Sequence, residues 1–153
     1  MQSMLGHGVF VMGTMPVIAV RQPWPWAMFN LGKDVENRTW PTKHRGPILI
    51  QASQWSRRAQ IEKDLFHALG VASPAVVKNL DIPDGFWVDD LKPQCGGIVG
   101  IVTIKDCVRN YRSPWAMPDH WHWVFADARP LPFWPCKGRL GIWRVDYPHS
   151  LAA

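Results

Sequence analysis

The chain has 153 residues and a formal net charge of +5, with 47% hydrophobic residues, 19% charged residues and ten Trp. A chain of this length and composition fits one folded domain that buries roughly two-thirds of its unfolded surface, which excludes intrinsic disorder and a dependence on disulfides or a metal. No apolar run approaches the ~20 residues of a membrane span, so no membrane partner is expected.

The first part of the chain is predicted to alternate strands and helices. Short β-branched or alternating segments bounded by Pro or Gly are typical of strands, and three such segments cover residues 16–21, 34–40 and 47–52. Pro25 suits the first turn of a helix, because its missing N–H costs nothing there. This helix is expected to continue to Gly32, a residue that commonly ends helices.

A second helix is predicted over residues 55–69. Its apolar residues recur at helical spacing among charged ones, which is typical of an amphipathic helix, and Gly70 is expected to end it. Ser53 stands just before this segment and is interpreted as its N-terminal cap in preference to a nucleophile. A short third helix is expected over residues 74–80.

The second part of the chain is predicted to be mostly sheet. Residues 81–95, rich in Asp and Pro, indicate a surface loop, and residues 97–108 form a nearly continuous apolar run that is typical of a central strand. After a polar loop, strands are expected at residues 121–126 and 141–145, the last of which closes the sheet. The predicted fold class is α+β, with a small, partly closed mixed β-barrel of five to six strands and two to three flanking helices.

No linker or repeat divides the sequence, so residues 15–148 are expected to form one domain, with residues 1–14 as a disordered extension and residues 149–153 as a tail. Three Cys are an odd number without CxxC spacing, which favours a reducing cytoplasm over a secreted disulfide framework. His120 and His122 match no standard zinc spacing, so neither a metal nor another cofactor is expected.

Basic residues are concentrated in two blocks. Residues 33–63 carry seven bases against three acids, and residues 129–144 carry four bases and no acid. Residues 81–95 have the opposite balance, with four Asp against one Lys. The two basic blocks could converge into one surface for a polyanion, but a modest excess of bases is equally consistent with solubility alone.

Five short segments occur in a distinctive order. They are Arg21-Gln22-Pro23-Trp24, the stretch from Gly32 to Trp40, His44-Arg45-Gly46-Pro47, the stretch from Gly97 to Cys107, and Lys137-Gly138 leading to Trp143. Together these segments resemble the ASCH (activating-signal-cointegrator homology) domain, a member of the PUA-like superfamily of small β-barrels. The resemblance covers residues 17–145, nearly the whole chain.

The resemblance implies a PUA-like barrel with a cleft beside the first helix, and it implies binding of nucleic acid, mostly RNA. Some small bacterial members of the family are amidohydrolases that deacetylate N4-acetylcytidine with a Lys, a Thr three residues later and a distant Glu. Lys33 matches that Lys. Glu36 occupies the Thr position, and this departure removes the hydroxyl nucleophile of those enzymes.

The residues around Lys33 predict a polar cleft by themselves. If residues 34–40 form a strand, Glu36, Arg38 and Trp40 share one face, and Lys33 is free to reach into the same space. Glu36 beside Arg38 is consistent with a local ion pair worth ~0–1 kcal/mol if exposed. It is also consistent with an Arg oriented to meet phosphate and a carboxylate that accepts a hydrogen bond from a base amine.

Several Trp residues are candidates for stacking against bases. One of Trp24 and Trp26 is expected inside the fold and the other in the cleft, while Trp40 and Trp115 are expected to be exposed platforms. Stacking is worth roughly 1–3 kcal/mol per base, and Arg or Lys nearby would pair with phosphate. The candidate nucleic-acid-binding residues are Arg21, Trp24, Trp26, Lys33, Glu36, Arg38, Trp40, Lys43, Arg45, Trp115, Lys137 and Arg139.

These observations predict an RNA-binding domain that recognises single-stranded RNA or a nucleotide. One alternative is a hydrolase that acts on RNA or a modified nucleoside, as a ribonuclease or an N4-acetylcytidine amidohydrolase-like enzyme, with Lys33 and Glu36 as acid–base partners. A second alternative is a protein-interaction module, for which a Trp-rich surface would be the basis.

Overall fold

The computed structural model describes residues 13–81 and 84–151, and within these ranges it has six strands and three α-helices. The strands are β1 (Met15–Val20), β2 (Val35–Arg38), β3 (Gly46–Ala52), β4 (Gly97–Val108), β5 (Trp121–Pro135) and β6 (Ile142–Val145). The helices are α1 (Trp24–Asn30), α2 (Arg58–Val71) and α3 (Pro74–Lys78), and a 3₁₀ helix spans Val88–Gln94. The predicted α+β class is confirmed. Most of the extension expected over residues 1–14, and the end of the tail expected over residues 149–153, lie outside the described residues.

The strands form one mixed sheet in the order β2-β5-β4-β3-β1-β6. β1 and β3 pair in parallel, through a crossover that contains α1 and β2, and the other described neighbours are antiparallel. β6 pairs with β1 alone, so the expectation that it closes the sheet is wrong and the barrel stays partly open. Arg38 on β2 nevertheless reaches across to β1, where its Nη2 donates to the carbonyl of Ala19 at 2.5 Å. A side chain, and not a strand pair, therefore bridges β2 and β1.

The two longest strands pair with each other at the centre of the sheet. β4 has the predicted bounds, but β5 continues well beyond the predicted end at residue 126. The prediction stopped early because Pro130, Pro132 and Pro135 usually end a strand. They are accommodated because β2 pairs only with residues 121–124, which leaves one edge of β5 free, and because bulges interrupt its pairing with β4.

The helix α2 starts and ends later than the sequence predicts. Arg57 precedes it in the left-handed conformation, with φ of 52°, so the interpretation of Ser53 as the helix cap is wrong. Ser53 instead extends the β3 edge, because its backbone N–H donates to the carbonyl of Val20 at 3.0 Å. Gly70 lies inside the helix, which ends at Val71.

The Asp content of residues 81–95 predicts a surface loop, but part of this segment forms the 3₁₀ helix. Its 3₁₀ helix buries Val88 and Leu91 against Ile61 and Leu65 of α2. Phe86 of the same segment packs in this cluster as well, so apolar residues that the composition of the segment obscures hold it against the domain.

The position of α1 depends on a close approach to the sheet. Alternate residues of the central strands enter two separate core clusters, and Trp123 is 1% exposed in the first of them. On β4, a Cβ at Gly100 would lie 2.2 Å from Cζ of Phe29, so the missing side chain makes room for a ring of α1. This contact fixes α1 against the sheet and thereby the residues that follow it. In the described part of the chain, no helix combines the length and the apolar character needed to cross a bilayer.

Candidate functional site

A cleft of about 750 Å³ opens where β1 ends and the chain turns into α1. Its walls come from the end of β1, from β2, from one face of α2 and from the loop over residues 114–118. The volume falls in the range typical of small-molecule sites. Six of the twelve candidate residues line it, namely Arg21, Trp24, Lys33, Glu36, Arg38 and Trp115. The other six lie outside its walls, namely Trp26, Trp40, Lys43, Arg45, Lys137 and Arg139.

Lys33 lies at the floor of the cleft. After α1 the chain turns at Gly32, which has a positive φ of 74°, and this turn directs Lys33 towards the sheet. Its Nζ donates to the carbonyl oxygen of Val35, and lies 4.0 Å from Oε1 of Glu36 and 5.5 Å from the ring centre of Trp24. Only 4% of Lys33 is exposed. The expectation of a freely reaching side chain is therefore wrong, because the carbonyl, the carboxylate and the ring together hold the amine in place.

Burial lowers the pKa of the Lys33 ammonium from its ordinary value of 10.5, because the charged form loses its hydration. Glu36 and then Asp34 act in the opposite direction, since each carboxylate stabilises the charge, while Arg38 adds a smaller lowering effect. Desolvation is the largest of these effects, so Lys33 is easier to deprotonate than a surface Lys.

This lowered pKa predicts a specific dependence of stability on pH. Between the lowered pKa of the folded state and 10.5, the unfolded chain binds more protons at Lys33, so the free energy of unfolding gains a contribution that rises with pH. Each unit of lowering is worth about 1.4 kcal/mol. We expect wild type to gain stability relative to Lys33→Met as the pH is raised from about 7 to about 10, as measured by urea unfolding. Parallel pH profiles of the two proteins would contradict the assignment.

Glu36 and Arg38 form an ion pair on the wall of the cleft, as alternation along β2 predicts. Nε and Nη2 of Arg38 lie 3.1 and 2.9 Å from Oε2 of Glu36, and Nη2 also reaches the Ala19 carbonyl. The guanidinium lies 6.0 Å from the ring centre of Trp123. Nη1 of Arg38 takes part in none of these bonds, and Oε1 of Glu36 faces Nζ of Lys33 at 4.0 Å. A donor and an acceptor therefore remain available side by side.

Asn37 ties the loop over residues 114–118 to β2. Its Nδ2 donates to the carbonyl of Trp115 at 3.0 Å, and its Oδ1 accepts the N–H of Met117 at 2.9 Å. Trp115 is only 8% exposed, so the expectation of an exposed stacking platform is wrong at this position. Its ring packs towards α1 and α2 and contributes a wall to the cleft.

Asp34 and His122 form hydrogen bonds with the loop over residues 114–118 and with the residues just before it. Asp34 accepts hydrogen bonds from the hydroxyls of Ser113 at 2.6 Å and Tyr111 at 3.2 Å. His122 accepts the N–H of Tyr111 at Nδ1, which leaves its proton on Nε2 for the carbonyl of Met117 at 2.6 Å. Sequence reasoning did not find Asn37 or the role of Asp34. The available signal was the density of polar residues on a short, half-buried strand.

The lining of the cleft contains a second ion pair. Nη2 of Arg21 lies 2.8 Å from Oδ2 of Asp64, whose other oxygen accepts a hydrogen bond from Gln60. The Arg21 side chain is 40% exposed. The rings of Trp24 and His67, which also line the cleft, meet edge to face at 6.5 Å. The cleft thus combines two Arg side chains, each paired with a carboxylate, with the aromatic ring of Trp24.

Two of the predicted stacking residues pack against other aromatic residues of the domain instead. Trp26 stacks on Phe86 at 5.3 Å, so of the two Trp residues at the start of α1, Trp24 is the one that lines the cleft. Trp40 follows the end of β2 and packs edge to face on Trp123 at 4.7 Å, with its carbonyl accepting the indole N–H. The expectation of an exposed platform at Trp40 is wrong, because this packing half-buries the ring.

The remaining basic candidates lie on other surfaces. Arg45 is 3.7 Å from Asp106, and its Nη1 donates to two backbone carbonyls of its own loop. Lys43 is exposed in that loop, and Lys137 and Arg139 are exposed beyond the end of β5. Among residues 13–81 and 84–151, no cluster of three His, Cys, Asp or Glu side chains could hold a metal ion.

Comparisons with known proteins give one modest similarity. No family model matches the chain. Activating signal cointegrator 1 of Homo sapiens, which carries an ASCH domain, is 26% identical over 137 residues. The match covers 84% of this chain but 22% of the human protein, so this chain spans about a fifth of the relative's length. This similarity supports the resemblance to the ASCH family loosely.

Proposed function

We propose that this domain binds single-stranded RNA, or a nucleotide-sized part of it, in the cleft. The observation that carries the proposal is the meeting of Lys33, Glu36, Arg38 and Trp24 in one hollow of about 750 Å³. The similarity to a protein with an ASCH domain supports the same class of ligand. Three Cys that are free of disulfides fit the reducing cytoplasm in which we expect the protein to work.

Each group in the cleft suits one part of a nucleotide. The unused Nη1 of Arg38 can donate to a phosphate oxygen, and the Glu36 pair holds its guanidinium in a fixed orientation. Oε1 of Glu36 can accept from the amine of a base edge. The ring of Trp24, with Lys33 behind it, presents an apolar surface against which a base or ribose can rest.

The test is a binding titration with fluorescein-labelled RNA of random sequence and about eight nucleotides, followed by fluorescence anisotropy. Because each phosphate contact releases counterions, we expect the affinity to fall roughly 5- to 20-fold between about 50 and 200 mM salt. DNA of the same length is the matched control, since only RNA offers the 2′-hydroxyl. An absence of binding, or binding that salt does not weaken, would reject the proposal.

The lowered pKa of Lys33 favours one alternative, a hydrolase that acts on RNA or a modified nucleoside. An amine whose pKa is lowered by burial, beside a carboxylate, could exchange a proton with a substrate or with water. Incubation with N4-acetylcytidine and with unlabelled RNA, followed by mass spectrometry, tests for turnover. Products that are lost in Lys33→Met would establish this alternative.

A further inference from the structure

Two exposed aromatic rings lie on the surface of α2 and the 3₁₀ helix, beyond the cleft. Phe66 is 72% exposed and Trp87 is 36% exposed, and the two rings meet edge to face at 6.5 Å. Neither ring belongs to the proposed cleft. Exposed aromatic rings in contact with each other are unusual on a surface without a binding role.

A shallow groove of about 530 Å³ runs along this face of α2 and shares one lining residue, His67, with the cleft. It is lined by Arg58, Ala59, Glu62, Lys63, Phe66 and His67, whose spacing puts them on one side of the helix. His67 lines both the groove and the cleft, and its ring also touches the ring of Trp24. One pair of neighbouring rings, Trp24 and His67, therefore lies at the cleft, and a second pair, Phe66 and Trp87, lies at the groove.

The charges of the groove leave one cation available. Arg58 is engaged by Glu62 at 2.9 Å and by Asp89 at 2.7 Å. Lys63, one position from Glu62 and three from Phe66, has no ion pair or hydrogen bond to any residue of the two described ranges. A free ammonium beside exposed rings matches the alternation of phosphate and base along a single strand.

We propose that the α2 groove binds the nucleotides that follow the one held in the cleft. This inference rests on the proposed function. The strand would leave the cleft past His67, stack bases on Phe66 and Trp87, and place a phosphate at Lys63. Arg58 to His67 spans about 14 Å of helix, which is long enough for a few nucleotides.

A single strand of RNA explains this surface better than a protein partner does. The groove contains a free cation, shares His67 with the cleft and lacks a continuous apolar floor, since Glu62 and Lys63 lie between Ala59 and Phe66. A protein interface of this kind would instead concentrate buried apolar contacts at its centre. A single strand of RNA needs separated rings together with cations for its phosphates, and Lys63 is the unpaired cation of this groove.

The test compares ligands of two lengths on the intact chain. The four 5′-mononucleotides report on the cleft, and the labelled RNA octamer of random sequence reports on the cleft and groove together. Stacking on one ring predicts that Phe66→Ala weakens octamer binding roughly 5- to 100-fold, and that Lys63→Ala lowers its salt dependence. Neither change is expected to alter the affinity for a mononucleotide. Leu140→Ala and Lys105→Ala, which remove an apolar and a basic side chain elsewhere on the exposed surface, are the matched controls.

The outcomes separate the two proposals. If a mononucleotide binds but the octamer gains nothing, or if its gain survives Phe66→Ala, the groove proposal is rejected and the cleft proposal stands. If neither ligand binds, both are rejected. If Phe66→Ala leaves RNA binding intact and instead abolishes self-association in analytical ultracentrifugation, the groove is an interface between protein molecules.

Discussion

Gly100→Ala is expected to destabilise the domain by roughly 3 kcal/mol, because the new methyl group has no room. Its Cβ would lie 2.2 Å from Cζ of Phe29 and 2.6 Å from the carbonyl oxygen of Arg129. The Phe29 ring can rotate, but the Arg129 carbonyl belongs to β5, whose pairing with β4 would have to shift. Because α1 rests on this contact, we also expect weaker ligand binding in the adjacent cleft.

Urea unfolding followed by circular dichroism measures this effect. Gly70→Ala is the matched control: Gly70 lies inside α2, and no atom lies within 4 Å of the position that its Cβ would take. Removing a helical Gly should stabilise the domain by about 0.5–1 kcal/mol. Equal stability of wild type and Gly100→Ala would show that α1 is not held as described.

Arg38→Ala is expected to have the second large effect, on both stability and binding. It removes the hydrogen bonds to Glu36 and to the Ala19 carbonyl, and leaves the half-buried Glu36 with Lys33 as its nearest cation. Hydrogen bonds of charged groups are worth about 1.5–3 kcal/mol, so we expect a loss of about 2 kcal/mol in unfolding free energy and a 10- to 100-fold loss in RNA affinity.

Two further variants separate charge from geometry at this position. Arg38→Lys keeps the charge but loses the planar guanidinium and its second bond to Glu36 through Nε, so we expect only partial recovery of stability. Arg45→Ala removes another Arg with a carboxylate neighbour, 45% exposed and outside the cleft. It should change stability by less than ~1 kcal/mol. If Arg45→Ala reduces RNA affinity as much as Arg38→Ala does, the ligand is not confined to the cleft and its α2 extension.

The parts of the fold that were predictable depend on local patterns. The continuous apolar run over residues 97–108 identified β4 with its correct bounds, because a strand covered on both faces needs such a run. The length of β5 was not predictable, since its Pro residues are tolerated only where β2 ends. The N-terminus of α2 was missed for a similar reason. Ser53 looks like a cap in sequence, yet its N–H is engaged by β1.

In the site, too, features set by local sequence patterns were predictable and features set by long-range contacts were not. The pairing of Glu36 with Arg38 follows from alternation along one strand and was predicted. The burial of Lys33 was not, because it depends on the docking of α1 and on the position of Trp24. The loop anchored by Asn37 lies about 80 positions further along the chain, so no local pattern could have revealed that contact.

The antiparallel pairing of β1 with β6 has a consequence for where another protein could be fused to the domain. Met15 lies opposite Val145, so the first and last strands meet at one edge of the sheet, and Tyr147 and Leu151 beyond β6 remain packed in the second core cluster. The cleft begins at Ala19, near the other end of β1, roughly 13 Å away along the strand. A partner joined directly before β1 would therefore be attached at the end of this strand that lies away from the cleft.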